Sequence, residues 1–291
     1  MLEVAHLVRR FGDNVAVSDV SFDVAPGVLT GFVGGNGAGK TTTMRMIMGV
    51  LAVHGGEVRW QGRPVTIEDR RSFGYMPEER GLYPKQPILE QLVYLARLRG
   101  STASGAKRRG SELLERFDLA ARAGDKLESL SLGNQQRVQI AAAVMSDPAL
   151  LILDEPFSGL DPVAIDAMAD LLREYAERGV PVLFSSHQLD LVERLCDALV
   201  ILAAGRVVAK GSVPELAGGR TRYRLVLGGS TAWLADFGGV RVLETNGSSA
   251  LLELTGATTD KLLTEALARG SVYELAAVRQ SVSEIYREVT A

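Results

Sequence analysis

The chain has 291 residues, 46% hydrophobic and 23% charged, with a net charge of −3. That profile fits a globular protein with a sizeable core and offers no basic stripe, so no nucleic-acid partner is expected. One cysteine, Cys196, excludes a disulfide framework. No stretch reaches the roughly 18 apolar residues of a membrane helix, and no apolar leader follows the charged residues near the start. A role at a membrane therefore requires another chain to supply the spanning part.

In chain order, residues 28–33 read as a buried strand. A glycine-rich loop follows, then a helix over residues 40–48. Residues 84–146 become helical: Ile88, Leu89, Leu92, Leu95 and Leu98 recur at helical spacing, as do Leu113, Leu114 and Phe117. Residues 150–153, 180–185 and 199–202 are unbroken apolar runs. Such strands, separated by helices, predict an α/β core with a parallel sheet covered on both faces. Residues 84–146 would be a helical subdomain inserted into it.

Beyond residue 211 the texture changes. Gly218-Gly219 and Gly228-Gly229 punctuate the chain, and residues 223–227 alternate like a strand. Residues 240–244 and 250–254 flank Asn246-Gly247, a hairpin signal. Residues 259–269 and 282–289 read as helices. The expected division is a domain over 1–215 and a small α+β domain over 216–291. The latter has no histidine and no metal-ligand cluster, which favours a dimer-stabilising or docking appendage over an ion-sensing module.

Two motifs carry chemistry. Gly34-Gly35-Asn36-Gly37-Ala38-Gly39-Lys40-Thr41 fits G-x-x-x-x-G-K-[ST], between a predicted strand and a predicted helix. Glycines let backbone N–H groups close on phosphate, and the helix N-terminus adds partial positive charge. Lys40 can bridge the β- and γ-phosphates, and the Thr41 hydroxyl can ligate Mg²⁺. The second motif is the strand 150–153 running into Asp154-Glu155. Ligands of open α/β sheets bind at the carboxyl ends of strands. Asp154 is then placed to hold Mg²⁺ through its water shell. Glu155 suits a general base, a role that contributes roughly 10²–10⁴-fold in rate.

Further landmarks follow in order: Leu130-Ser131-Leu132-Gly133-Asn134-Gln135-Gln136-Arg137, then Asp154-Glu155-Pro156, Ser158-Gly159-Leu160-Asp161 and Ser185-Ser186-His187. With them, residues 1–215 resemble ABC ATPases, the nucleotide-binding subunits of ABC transporters. The resemblance implies a P-loop NTPase (RecA-like) core with the inserted helical subdomain and a β subdomain. It implies ATP and Mg²⁺ as ligands, with the phosphate loop continuing to Thr42. It assigns adenine stacking to Phe11 and catalysis to Lys40, Glu155 and the switch histidine His187. It implies a homodimer or paired ATPase subunit in which Ser131, Gly133 and Asn134 reach the nucleotide of the opposite chain and Asp161 couples the two sites. A separate transmembrane permease subunit would hold the pair at the inner face of the cell membrane, on the cytoplasmic side.

Two segments depart from the family pattern. Leu132 and Asn134 stand where Leu-Ser-Gly-Gly-Gln has glycine and glutamine. Glu78 stands where the family has a glutamine that senses Mg²⁺ and γ-phosphate; a carboxylate can still meet the metal but has no amide donor. The segment Glu78-Glu79-Arg80-Gly81-Leu82-Tyr83-Pro84 and the ending Ser281-Val282-Ser283-Glu284-Ile285-Tyr286 are similar to bacterial sodium-efflux-type ABC ATPases, which leans toward export. The alternative is a soluble ABC ATPase of translation or DNA repair. Those members usually carry two cassettes or a long coiled-coil insertion, and this chain has neither signature.

Overall fold

The computed structural model describes residues 1–79, 81–216, 222–278 and 281–290. Arg80, in the segment 78–84, and the Gly218-Gly219 pair lie outside the described residues. The chain divides into two compact units, a first built on Met1–Val213 and a second, Pro214–Glu288.

The first unit begins with β1 (Leu2–Phe11), β2 (Asn14–Val24), β3 (Leu29–Gly34) and α1 (Lys40–Ile47). Next come β4 (Gly55–Trp60), β5 (Arg63–Pro64), α2 (Ile67–Arg71) and β6 (Phe73–Met76). A helical run follows: α3 (Ile88–Leu98), α4 (Ala103–Arg116) and α5 (Leu132–Val144). The unit closes with β7 (Leu150–Leu153), α6 (Pro162–Glu177), β8 (Val182–Ser186), α7 (Leu189–Leu195), β9 (Ala198–Ala203) and β10 (Arg206–Ser212).

The main sheet has the order β10-β9-β3-β8-β7-β6. All its pairs are parallel except β10, which runs antiparallel to β9. Every residue of β3, β7 and β8 is buried, which explains their largely apolar sequences, with Thr30, Ser185 and Ser186 as the buried polar exceptions. A second, antiparallel sheet has the order β2-β1-β4-β5. It buries Leu2, Val4, Leu7, Val17, Phe22 and Trp60 in a cluster shared with Phe32, Met44 and Phe73. Aromatic pairs join the two sheets, Phe22–Phe32 at 5.0 Å and Trp60–Phe73 at 5.1 Å between ring centroids. In the helical run, Leu92, Leu113, Leu114 and Phe117 are buried as their spacing predicts. Leu98 is exposed instead: α3 ends there and the chain turns through Gly100 toward α4.

The second unit contains α8 (Val213–Leu216), which straddles its start, then β11 (Arg222–Leu227), β12 (Val240–Asn246), β13 (Ser249–Leu254), α9 (Thr259–Arg269), β14 (Val272–Val278) and α10 (Val282–Thr290). Its sheet is antiparallel, in the order β12-β13-β11-β14. Leu225, Leu234, Leu252, Leu262 and Ala266 form its core. The hairpin turn sits one residue later than Asn246-Gly247 suggests. Asn246 still pairs with Ser249, and Gly247-Ser248 forms the two-residue loop. Gly247 has φ +59 and takes the first central position, where a type II′ turn demands glycine.

Candidate functional site

β3 ends at Gly34, and the loop returns at Lys40 as the first residue of α1. Gly39 caps the helix at φ +101, and a Cβ there would lie 2.7 Å from the Ala16 carbonyl oxygen. A Cβ on Gly34 would lie equally close to the Leu202 carbonyl oxygen. Only glycine fits both places, and the result is a tight loop, exposed at Gly35, Asn36 and Gly37, that leads into a helix start. Lys40 is buried, and its Nζ donates to the Gly34 carbonyl at 2.7 Å and the Gly35 carbonyl at 3.3 Å.

This loop forms one wall of a cleft of about 1200 Å³. Asn36, Gly37, Ala38, Gly39, Lys40, Thr41 and Thr42 line it, together with Phe11, Glu78, Asp154, Glu155 and His187. Gly34 and Gly35 stand behind the lining and hold Lys40. The Thr41 hydroxyl donates to Glu78 Oε2 at 3.3 Å, so two of the expected metal ligands are already neighbours.

The acidic wall follows from β7. Asp154 comes directly after this fully buried strand and is itself 1% exposed. Its Oδ1 accepts a 2.6 Å bond from the Ser185 hydroxyl, whereas Oδ2 is buried with no protein partner. Glu155 adopts φ +51, a left-handed conformation uncommon outside glycine. Its N–H donates to Ser185 Oγ at 2.8 Å, and its carbonyl accepts from Gln136 Nε2 at 2.9 Å. Its carboxylate Oε2 lies 2.9 Å from His187 Nδ1. Burial, with the Asp154 charge nearby, raises the Tyr75 phenol above its ordinary value.

The remaining sequence candidates lie elsewhere. Ser131 caps α5 by accepting from the Asn134 N–H. It is exposed, and neither it nor Gly133, Asn134 or Asp161 lines the cleft. Asp161 caps α6 and pairs with Arg137 at 3.3 Å. Residues given no site role from the sequence also border the cleft: Asn14, Val15, Leu132, Gln136, Ser158 and Gly205. Gly205 carried a signal, since Ala204-Gly205 follows an apolar run and turns β9 into β10 with both residues at positive φ. Gln136 and Ser185 carried none beyond membership of a motif.

The donor set fits a nucleoside triphosphate and its divalent ion: a glycine cradle, a lysine, a threonine hydroxyl and a buried carboxylate oxygen with no protein partner. A phosphate loop facing a strand-end carboxylate pair defines a P-loop nucleoside triphosphatase. The profile of the ABC transporter family matches residues 17–158. The chain is 46% identical over 216 residues to the uncharacterized ABC transporter ATP-binding protein YhaQ of Bacillus subtilis, covering 74% of this chain and 72% of that one. It is 31% identical to the linearmycin resistance ATP-binding protein LnrL of the same organism, over 98% of this chain and 94% of the relative. A solved ATP-binding subunit of an ABC transporter superposes with a TM-score of 0.70 at 32% identity, covering 92% of this chain and 99% of the other. The chain belongs to the ATP-binding proteins of ABC transporters and is an ATPase of that family. Among the described residues, no helix is long and apolar enough to cross a membrane.

Proposed function

We propose that two copies of this chain, or this chain and a similar subunit, close head to tail around ATP and drive a membrane-embedded exporter from its cytoplasmic face. One observation carries the pairing. Ser131 and Gly133, at the start of α5, do not line their own chain's cleft, yet Ser131 stands exposed at a helix N-terminus suited to anions. The name of the linearmycin resistance relative supports export. The absence of a spanning helix among the described residues agrees with a separate permease. The second unit acts as an appendage for pairing or docking.

The lining of the cleft supports the following catalytic roles. Phe11 stacks on the base, and the loop amides with Lys40 and Thr42 hold the phosphates. Thr41, Asp154 and Glu78 would hold Mg²⁺, which supplies charge neutralisation on the phosphate oxygens when bound. Glu155 takes a proton from the attacking water as the water oxygen bonds to the γ-phosphorus and the bridging oxygen leaves with ADP. His187, held against Glu155, steadies that carboxylate and can meet the γ-phosphate. Ser131, Gly133 and Asn134 of one chain complete the phosphate cage of the other, and Asp161 links the two sites. Phosphate release then removes the ligand shared between the chains and reopens the pair.

Glu155→Gln removes the base and keeps the fold. With ATP, the variant should sediment as a dimer, and without nucleotide as a monomer. A variant that stays monomeric with saturating ATP overturns the pairing.

A further inference from the structure

We propose that Ser185 is a positioning residue whose single hydroxyl sets both carboxylates of the cleft; this rests on the ATPase roles given above to Asp154 and Glu155. Ser185 lies in β8, between β3 and β7, and is 0% exposed. A hydroxyl offers one proton and two lone pairs. Here the proton goes to Asp154 Oδ1 at 2.6 Å, and a lone pair accepts the Glu155 N–H at 2.8 Å.

The first bond ties down one oxygen of Asp154. The carboxylate cannot swing, and Oδ2 is left as a single oriented acceptor in a buried place. The second bond holds Glu155 where its backbone is least comfortable, at φ +51. Gln136 grips the carbonyl of the same residue, so Glu155 is held from both sides. Its carboxylate then meets His187, which follows Ser185 by two positions, just past the end of the same strand. One hydroxyl is thus a common reference point for Asp154, Glu155 and His187. Without it, an Asp154 oxygen and the Glu155 N–H each lose a buried partner.

The test uses the full chain with Ser185→Ala, Ser185→Thr and Ser185→Val. Threonine and valine have the same shape, and only threonine keeps the hydroxyl. ATP turnover and the binding of a fluorescent ATP analogue are measured, the latter in EDTA and across a Mg²⁺ titration. Misplacing the reacting groups should lower kcat about 10- to 100-fold in Ser185→Ala. The Mg²⁺ concentration for half-maximal binding should rise, while affinity in EDTA stays within about twofold. Ser185→Thr should recover most of kcat and Ser185→Val should not. If Ser185→Ala does not fold, the threonine and valine pair decides alone. The proposal fails if Ser185→Ala keeps its kcat, if threonine and valine lose equally, or if affinity in EDTA falls as far as affinity with Mg²⁺. A wild-type chain without turnover overturns the ATPase roles as well, whereas an active wild type matched by Ser185→Ala overturns only the role of Ser185.

Discussion

The two units treat buried polar groups differently. In the first, Lys40, Asp154 and Ser185 are buried around the cleft, Asp154 Oδ2 has no protein partner, and Glu155 is held at φ +51. In the second, the buried polar residues among the described ones are Thr231 and Glu253, and each has a partner within the unit. The Thr231 hydroxyl donates to the Gly247 carbonyl at 3.0 Å, and Glu253 pairs with Arg222 at 3.5 Å and Arg241 at 4.0 Å. The Trp233 indole N–H is buried without a hydrogen-bond partner there, and the Arg269 guanidinium lies 4.9 Å from its ring centroid. Buried polar groups without partners are costly. A fold keeps them, with a strained residue beside them, where a ligand completes the set. The cleft of the first unit combines an unpartnered buried carboxylate oxygen with a non-glycine residue at positive φ, a combination absent from the second unit among the described residues.

The sharpest way to break this contrast is to remove the charge from the phosphate loop. Lys40→Ala should lower ATP turnover on the order of 1,000-fold, the loss typical of a donor aimed at developing charge. A steady-state phosphate-release assay measures it, and unimpaired turnover would take the loop out of the reaction. A cavity in the second unit should act in the opposite sense. Leu252 is 0% exposed in that unit's core. Leu252→Ala should cost the second unit about 3 kcal/mol, read from its denaturant transition. Nucleotide affinity should not change. If binding collapsed along with that transition, the two units would not be separable in function.

Legibility divides along the same line. The phosphate loop and the acidic strand end were readable because each combines residue types that folding alone does not favour. A lysine beside tightly packed glycines, and paired carboxylates at the end of an apolar run, need a reason beyond packing. The buried strands β3, β7 and β8 were readable because both their faces are covered. The antiparallel strands β1, β2 and β4 were harder to see. Register shifts between Val4 and Leu7 and between Arg9 and Arg10 interrupt the alternation of β1. His6 at φ +54 and Asp19 at φ +63 mark the irregularity on facing strands. β14 was missed because Val272–Val278 places small and charged residues on a half-covered surface. Gln136 and Ser185 act on Glu155 through its backbone from 19 and 30 residues away in sequence, so no local residue pattern announces these bonds.

The smallest effect expected within the first unit is at Phe11, and it separates base recognition from phosphate recognition. Phe11 ends β1 at the cleft border and is 46% exposed, unusual for an aromatic of its size. The Arg9 guanidinium lies 4.8 Å from its ring centroid. Arg9 occupies one face of the ring, and the proposed stacking of a base would use the other. Stacking of this kind is worth about 1–3 kcal/mol. Phe11→Ala should therefore weaken ATP binding about tenfold, equivalent to about 1.4 kcal/mol. Phe11→Tyr should retain it. Inorganic tripolyphosphate, which has no base, should bind wild type and Phe11→Ala equally. Calorimetric titration of both ligands distinguishes the outcomes. Equal losses for both would mean that Phe11 only supports the loop, and no loss for either would leave it an ordinary aromatic at a strand end.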